Sequence, residues 1–213
     1  MRNTINDIIK SHFMKNIVTY AITILSFTIG ISTGAFTVNA LSNTQSKELY
    51  SYLQEFLYIM GTQDSINAVE LLKLSVFNHL KFIIIFWVLG ITVIGIPVIL
   101  IIIGIKGFTI GFTVGFLIRY LDFKGVLFTI LGILPQSLIV IPCYILVAVI
   151  CINFSLSIAR SRTKTKYRRD DVRTQFFSYS TFVLLSFFVL VVGSIIEAYI
   201  TPVFIKLLAE TLI

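Results

Sequence analysis

Two histidines, two cysteines and ten carboxylates are the side chains with which this 213-residue chain would cut, transfer or ligate, and they lie far apart. His12 precedes the first apolar run, and His79 stands at the mouth of the second. Neither has a plausible serine and aspartate pairing, and the two histidines are too far apart to form a cluster. A catalytic triad or a metal-ligand set is therefore not expected. No apolar run holds two carboxylates for acid–base work, and motifs for phosphate cradling, a nucleophile elbow or a zinc protease are missing. Cys143 and Cys151 are eight positions apart on one expected helix. At ~1.5 Å rise per residue that is about 12 Å, beyond disulfide reach, so both read as small core residues. The expected catalytic, metal and cofactor sets are empty.

The ionisable residues near the apolar runs read as edge residues. Asp122 lies between Arg119 and Lys124, where a hairpin loop would pair them. Glu197 closes the last apolar run within reach of headgroup water, and Lys106 reads as part of an inner turn. Pumps and channels carry charge at span centres, so a proton relay is not expected. More specific are Gly95-Ile-Pro97 and the stretch Pro135-Gln136-Ser137, with Pro142 beyond it. A proline removes one helix hydrogen bond and blocks another, so Pro97, Pro135 and Pro142 are expected helix breaks or kinks. Gln136 and Ser137 are placed to satisfy the freed carbonyls. Gly107, Gly111 and Gly115 are spaced by four, as are Gly30 and Gly34. That spacing puts glycines on one helix face, where another backbone can approach within a bundle or across a dimer.

The elements that must position these residues are set by lipid. From Phe82 to Ala159 the chain carries only four charges: Lys106, Arg119, Asp122 and Lys124. Overall 57% of residues are hydrophobic and 13% charged, against about a quarter charged in soluble domains. The expected architecture is all-α: one polytopic membrane domain over residues 1–213. Five spans of about 20 residues are expected near 17–41, 82–105, 107–118, 126–159 and 176–196. The run Ile17–Leu41 is too long for a cleavable signal and reads as a retained span. With the N-terminus inside, inner segments hold eleven Lys and Arg against three Asp; outer segments hold six against seven acids. Most inner cations lie in the loop Arg160–Arg173, and the asymmetry places that loop in the cytoplasm and the C-terminus outside. Cations beside spans are explained by topology and lipid headgroups, so the basic pI does not imply nucleic acid.

Residues 42–79 form the one long outer loop. Leu49, Tyr52, Leu53, Phe56, Leu57 and Met60 recur there at helical spacing, after a start signature of Ser42 and Gln45. Gly61 permits a turn before a second helix that feeds span two. The tail carries a similar stripe through Tyr199, Val203 and Phe204. Both read as amphipathic interfacial helices, and as docking surfaces for outer partners through Leu49, Leu53, Phe56, Tyr199, Val203 and Phe204.

The order of these landmarks resembles the stage II sporulation protein M family of spore-forming Firmicutes. The resemblance rests on FMKNIVTY, GISTGAFTVNAL, QSKELYSYLQEF, HLKFIIIFWVLGITVIGIPVIL, KGFTIGFTVGFL, GILPQSLIVIPCYI, SLSIARS and GSIIEAYITPVF. It covers essentially the whole chain. In the wider family the proline of span four is often followed by His-Gly and a nearby glutamate; here Gln136 and Ser137 stand instead. The resemblance implies a non-enzymatic scaffold in the septal membrane that helps engulf the forespore. Its implied partners are the peptidoglycan-degrading stage II sporulation proteins D and P. A small transporter or channel, with its path at Pro135, is the alternative expectation.

Overall fold

The computed structural model describes residues 13–62, 67–161 and 169–212, with the side chains at 60–62, 161, 169–172 and 207–212 left aside. All regular elements in these segments are helical: α1 (Ile17–Thr37), α2 (Asn43–Thr62), α3 (Ala68–Ile91), α4 (Gly95–Phe128), α5 (Leu134–Ser161), α6 (Arg169–Ile195) and α7 (Thr201–Leu212). A 3₁₀ turn, Val38–Ala40, follows α1, and two π-helical turns, Thr129–Ile133 and Ile196–Ile200, precede α5 and α7. Four stretches are long and apolar enough to cross a membrane: Ile17–Ala40, Ala68–Gly90, Gly95–Arg160 and Arg173–Lys206.

The third stretch, 66 residues long, is folded double. Asp122 has φ 49° and ψ −126°, which no helix tolerates. Beyond it, Gly125 lies against the Leu117 carbonyl, a contact that an unbroken helix of that length would not allow. Helix α4 therefore runs from Gly95 to this reversal, and the returning arm leads through the π turn into α5.

The expected span 82–105 does not form. Helix α3 ends at Ile91, Thr92 is extended (φ −108°, ψ 141°), and a new helix starts at Gly95. The reason is Pro97. Its ring would clash in the interior of a continued helix but suits the first turn of α4. Gly95 lets the Leu89 carbonyl pass where a Cβ would collide with it. Consequently Gly107–Ile118 is the middle of α4 rather than a short span of its own.

Helices α1 and α4 run parallel in close contact. A Cβ at Gly30 would strike the Gly104 carbonyl, one at Gly34 the Phe108 carbonyl, and one at Gly111 the Ile31 carbonyl. Ser26 Oγ–H donates to Leu100 O at 2.8 Å, and Arg119 donates to Val38 O at 2.7 Å and Asn39 Oδ1 at 2.9 Å. Arg119 thus closes the C-terminal end of α1 instead of meeting Asp122 in the hairpin loop. Helices α3, α5 and α6 complete the core around Phe86, Val147, Cys151 and Leu190, all fully buried. Tyr179 O–H reaches the Trp87 carbonyl at 2.7 Å because Gly90 leaves it room.

Helix α2 starts on the expected capping box: Ser42 N donates to Gln45 Oε1 at 3.1 Å, and Gln45 N to Ser42 Oγ at 3.3 Å. Leu53 and Leu57 of α2 pack with Leu117, Leu121 and Phe128 of the hairpin and Ile205 of α7. The tail is not detached from the bundle, since the helix of the last span continues through the π turn into α7. The expected turn at Gly61 falls inside α2, and residues 162–168 of the basic loop lie outside the described residues.

Candidate functional site

Lys106 sits on α4 between Gly104 and Gly107, the glycines that face Ser26 and Phe27 of α1. It is therefore level with the middle of Ile17–Ala40, not in an inner turn. Its ammonium lies 3.7 Å from the Phe82 ring centre and 5.5 Å from that of Tyr144. Both are cation–π distances, which favour a partly desolvated cation.

From the middle of α3, His79 Nδ1 shares a 2.7 Å hydrogen bond with the Tyr144 hydroxyl of α5. Its other nitrogen, Nε2, is 3.7 Å from Glu197 Oε2, an ion-pair distance too long for a hydrogen bond. Ser75 Oγ–H, one turn earlier on α3, donates to the same carboxylate oxygen at 2.6 Å. The second π turn carries Glu197. A helical side chain leans toward its N-terminus, and that lean lets the carboxylate reach back to α3.

Lys106, His79, Tyr144 and Glu197 line a cavity of about 310 Å³, together with Gln136 and Ser137 from the first turn of α5. Phe27, Ile103, Ile110 and Val140 supply apolar wall. His79 Nε2 and Gln136 Oε1 are buried and have no hydrogen-bond partner. The arrangement holds polar and charged matter inside an apolar bundle. Ser75 stands one turn from His79, and its hydroxyl is committed to the Glu197 carboxylate rather than to the imidazole.

The structure distributes the sequence-derived residues unevenly. Gly30, Gly34, Gly107, Gly111 and Gly115 all meet at the α1–α4 seam, so association of two copies through those faces would have to displace that packing. Pro97 begins a helix, and Pro142 lies within unbroken α5. Pro135 follows the π turn, where Leu134 N–H bonds Thr129 O five residues back. Thr201 N–H bonds Ile196 O in the same way just before Pro202. The expected break at Pro135 is thus a change of register within a continuous helix. Leu49 and Leu53 are partly buried on the inner edge of α2, whereas Phe56, Tyr199 and Val203 are exposed and Phe204 half-buried. Cys143 and Cys151 are buried free thiols.

Sequence reasoning passed over Lys106, His79, Tyr144 and Glu197 as one site. The available signal was Gly95-Ile-Pro97: taken as a helix start, it puts Lys106 in mid-span.

The family model described as Stage II sporulation protein M matches residues 23–202. The chain belongs to the stage II sporulation protein M family. It is accordingly a sporulation-related, multi-pass membrane protein. The part matched to the family includes every residue named in the cavity, from Phe27 to Glu197. No curated protein and no solved structure matches.

Proposed function

We propose that this member of the stage II sporulation protein M family is a non-enzymatic scaffold that holds peptidoglycan hydrolases at the septal membrane during forespore engulfment. The partners on this reading are stage II sporulation proteins D and P. The chain crosses the bilayer five times, by α1, α3, the two arms of the hairpin, and α6, with the N-terminus inside. The carrying observation is at the hairpin end of the bundle. Helix α2 spends Leu53 and Leu57 on the hairpin and α7, yet leaves Tyr52, Phe56, Tyr58 and Ile59 exposed, and Tyr199 and Val203 are exposed nearby in sequence to Ile205. Aromatic side chains on a surface held by packing beneath it suit recognition of another protein.

The test is co-purification of the two hydrolases with a Tyr52→Asp/Phe56→Asp variant from sporulating cells. Both side chains point away from the packed edge, so the variant should insert normally and lose recruitment. Recruitment at the parental level in an inserted variant would remove α2 from the docking surface. Leu53→Asp is unsuitable, because Leu53 packs inside.

A second reading, a small transporter or channel, draws on the cavity behind Gln136. Solute flux into liposomes would favour it.

A further inference from the structure

We propose that the cavity between α1, α3, α4, α5 and the second π turn is a binding site for a small zwitterion, a net-neutral molecule with a primary ammonium at one end and an anionic group at the other. Unmatched groups on its walls carry the argument. Lys106 brings an ammonium whose described contacts are two aromatic rings and no oxygen. On the cavity wall Gln136 Oε1 is buried and accepts nothing, and His79, only 8% exposed, has its Nε2 without a hydrogen bond, 3.7 Å from Glu197 Oε2. Glu197 adds a carboxylate with one oxygen taken by Ser75, and its side chain keeps 40% of its surface open.

Lys106 therefore donates to no described oxygen, while Gln136 Oε1 and the second Glu197 oxygen accept from no described donor. Their formal charges cancel. A lone anion would face the Glu197 carboxylate and a lone cation the Lys106 ammonium, like charge against like. A zwitterion satisfies both ends at once.

The backbone points to the same place independently. Both π turns among the described residues border this cavity: one ends at the wall residue Ile133, and the other presents Glu197. Such turns account for well under 1% of residues and gather at functional sites. Proline alone does not demand them here, since Pro142 is accommodated in plain α-helix.

The volume is at the small end for ligand pockets, and the Ile103, Ile110, Val140 and Ile141 walls suit an aliphatic body. An aliphatic amino acid has this chemistry, and so does the phosphatidylethanolamine headgroup. The site stands apart from hydrolase recruitment and from transport, because a molecule held without flux would uphold it while dismissing a channel.

The experiment uses the full chain in nanodiscs of phosphatidylglycerol alone. Melting temperature and titration calorimetry are followed with L-leucine, with isoamylamine, which lacks the carboxylate, and with 4-methylpentanoate, which lacks the ammonium. A parallel arm adds phosphatidylethanolamine and looks for retained lipid by native mass spectrometry. A saturable rise in melting temperature with leucine assigns a free amino acid, and retention of phosphatidylethanolamine assigns the headgroup; either supports the site. Lys106→Met and Glu197→Gln should each weaken binding at least about tenfold. Gln136→Leu provides the same readout should either charge variant fail to insert. The proposal is overturned if neither source binds, if a half-molecule binds as well as leucine, or if binding survives all three substitutions.

Discussion

Lys106 takes its role from a helix boundary eleven residues earlier: with α4 starting at Gly95, the lysine lies in mid-bundle beside Phe82, Tyr144 and the cavity. Its neighbours arrive from three other helices, which is why a reading by local spacing separated them. The glycine seam is the opposite case, because a spacing of four is local and survives whatever the partner helix turns out to be. Two substitutions on that seam should differ sharply. At Gly34 a Cβ would run into the Phe108 backbone, whereas at Gly115 it would lie 3.2 Å from Ala35 Cα. Gly34→Ala is expected to lower stability by about 1–3 kcal/mol, the usual cost of overpacking, and Gly115→Ala by much less. Thermal unfolding of detergent-purified protein compares them directly, and equal losses would argue against the α1–α4 register. Tyr144→Phe should also destabilise, by roughly 1–3 kcal/mol, since His79 would then be buried with neither nitrogen hydrogen-bonded.

Among the elements, the hairpin at Asp122 holds the most backbone strain. Its φ of 49° and ψ of −126° fit the first central position of a type II′ turn, a place that glycine takes without penalty. Non-glycine residues in such regions are strained by about 1–3 kcal/mol. Asp122→Gly should therefore raise the melting temperature, and Asp122→Val should lower it; the reverse order would contradict the turn. Much of the element layout was legible in the chain. The Ser42–Gln45 capping box and the apolar edge of α2 rest on short-range rules and appear as those rules require. The boundary at Thr92–Ile94 was legible too, but hydropathy hid it, because apolar residues flank the turn on both sides. The π turns were not legible. Pro135 and Pro202 announce a register problem, yet Pro142 shows that a proline does not say how the problem is solved.

For the whole molecule, the packing sorts the chain into two ends. Ser155 Oγ–H bonds the Thr92 carbonyl, and Ser157 Oγ–H bonds Gln175 Oε1, so the Thr92–Ile94 turn lies with the end of α5 and the start of α6. Arg119, Val38, the Asp122 reversal, α2 and α7 gather at the other end. Moving Lys106 into the bundle leaves ten Lys and Arg in the segments proposed as inner against six in those proposed as outer, and the proposed orientation rests on that asymmetry. The proposal of five crossings with the N-terminus inside then makes a sharp prediction. In a Cys143→Ala/Cys151→Ala background, a membrane-impermeant thiol reagent added to intact cells should label Tyr52→Cys and Phe123→Cys, the latter position being 80% exposed. It should leave Val93→Cys and Arg160→Cys unlabelled until the membrane is permeabilised. A hairpin that dips into the bilayer and returns would put position 160 on the same side as position 52, so early labelling at Arg160→Cys would reverse every segment after Asp122. The zwitterion site would fall with that result, because Gln136, Tyr144 and Glu197 would be inverted against His79 and Lys106. The docking surface would fall too, because α7, whose Ile205 packs with Leu53 and Leu57, would no longer share the side of α2.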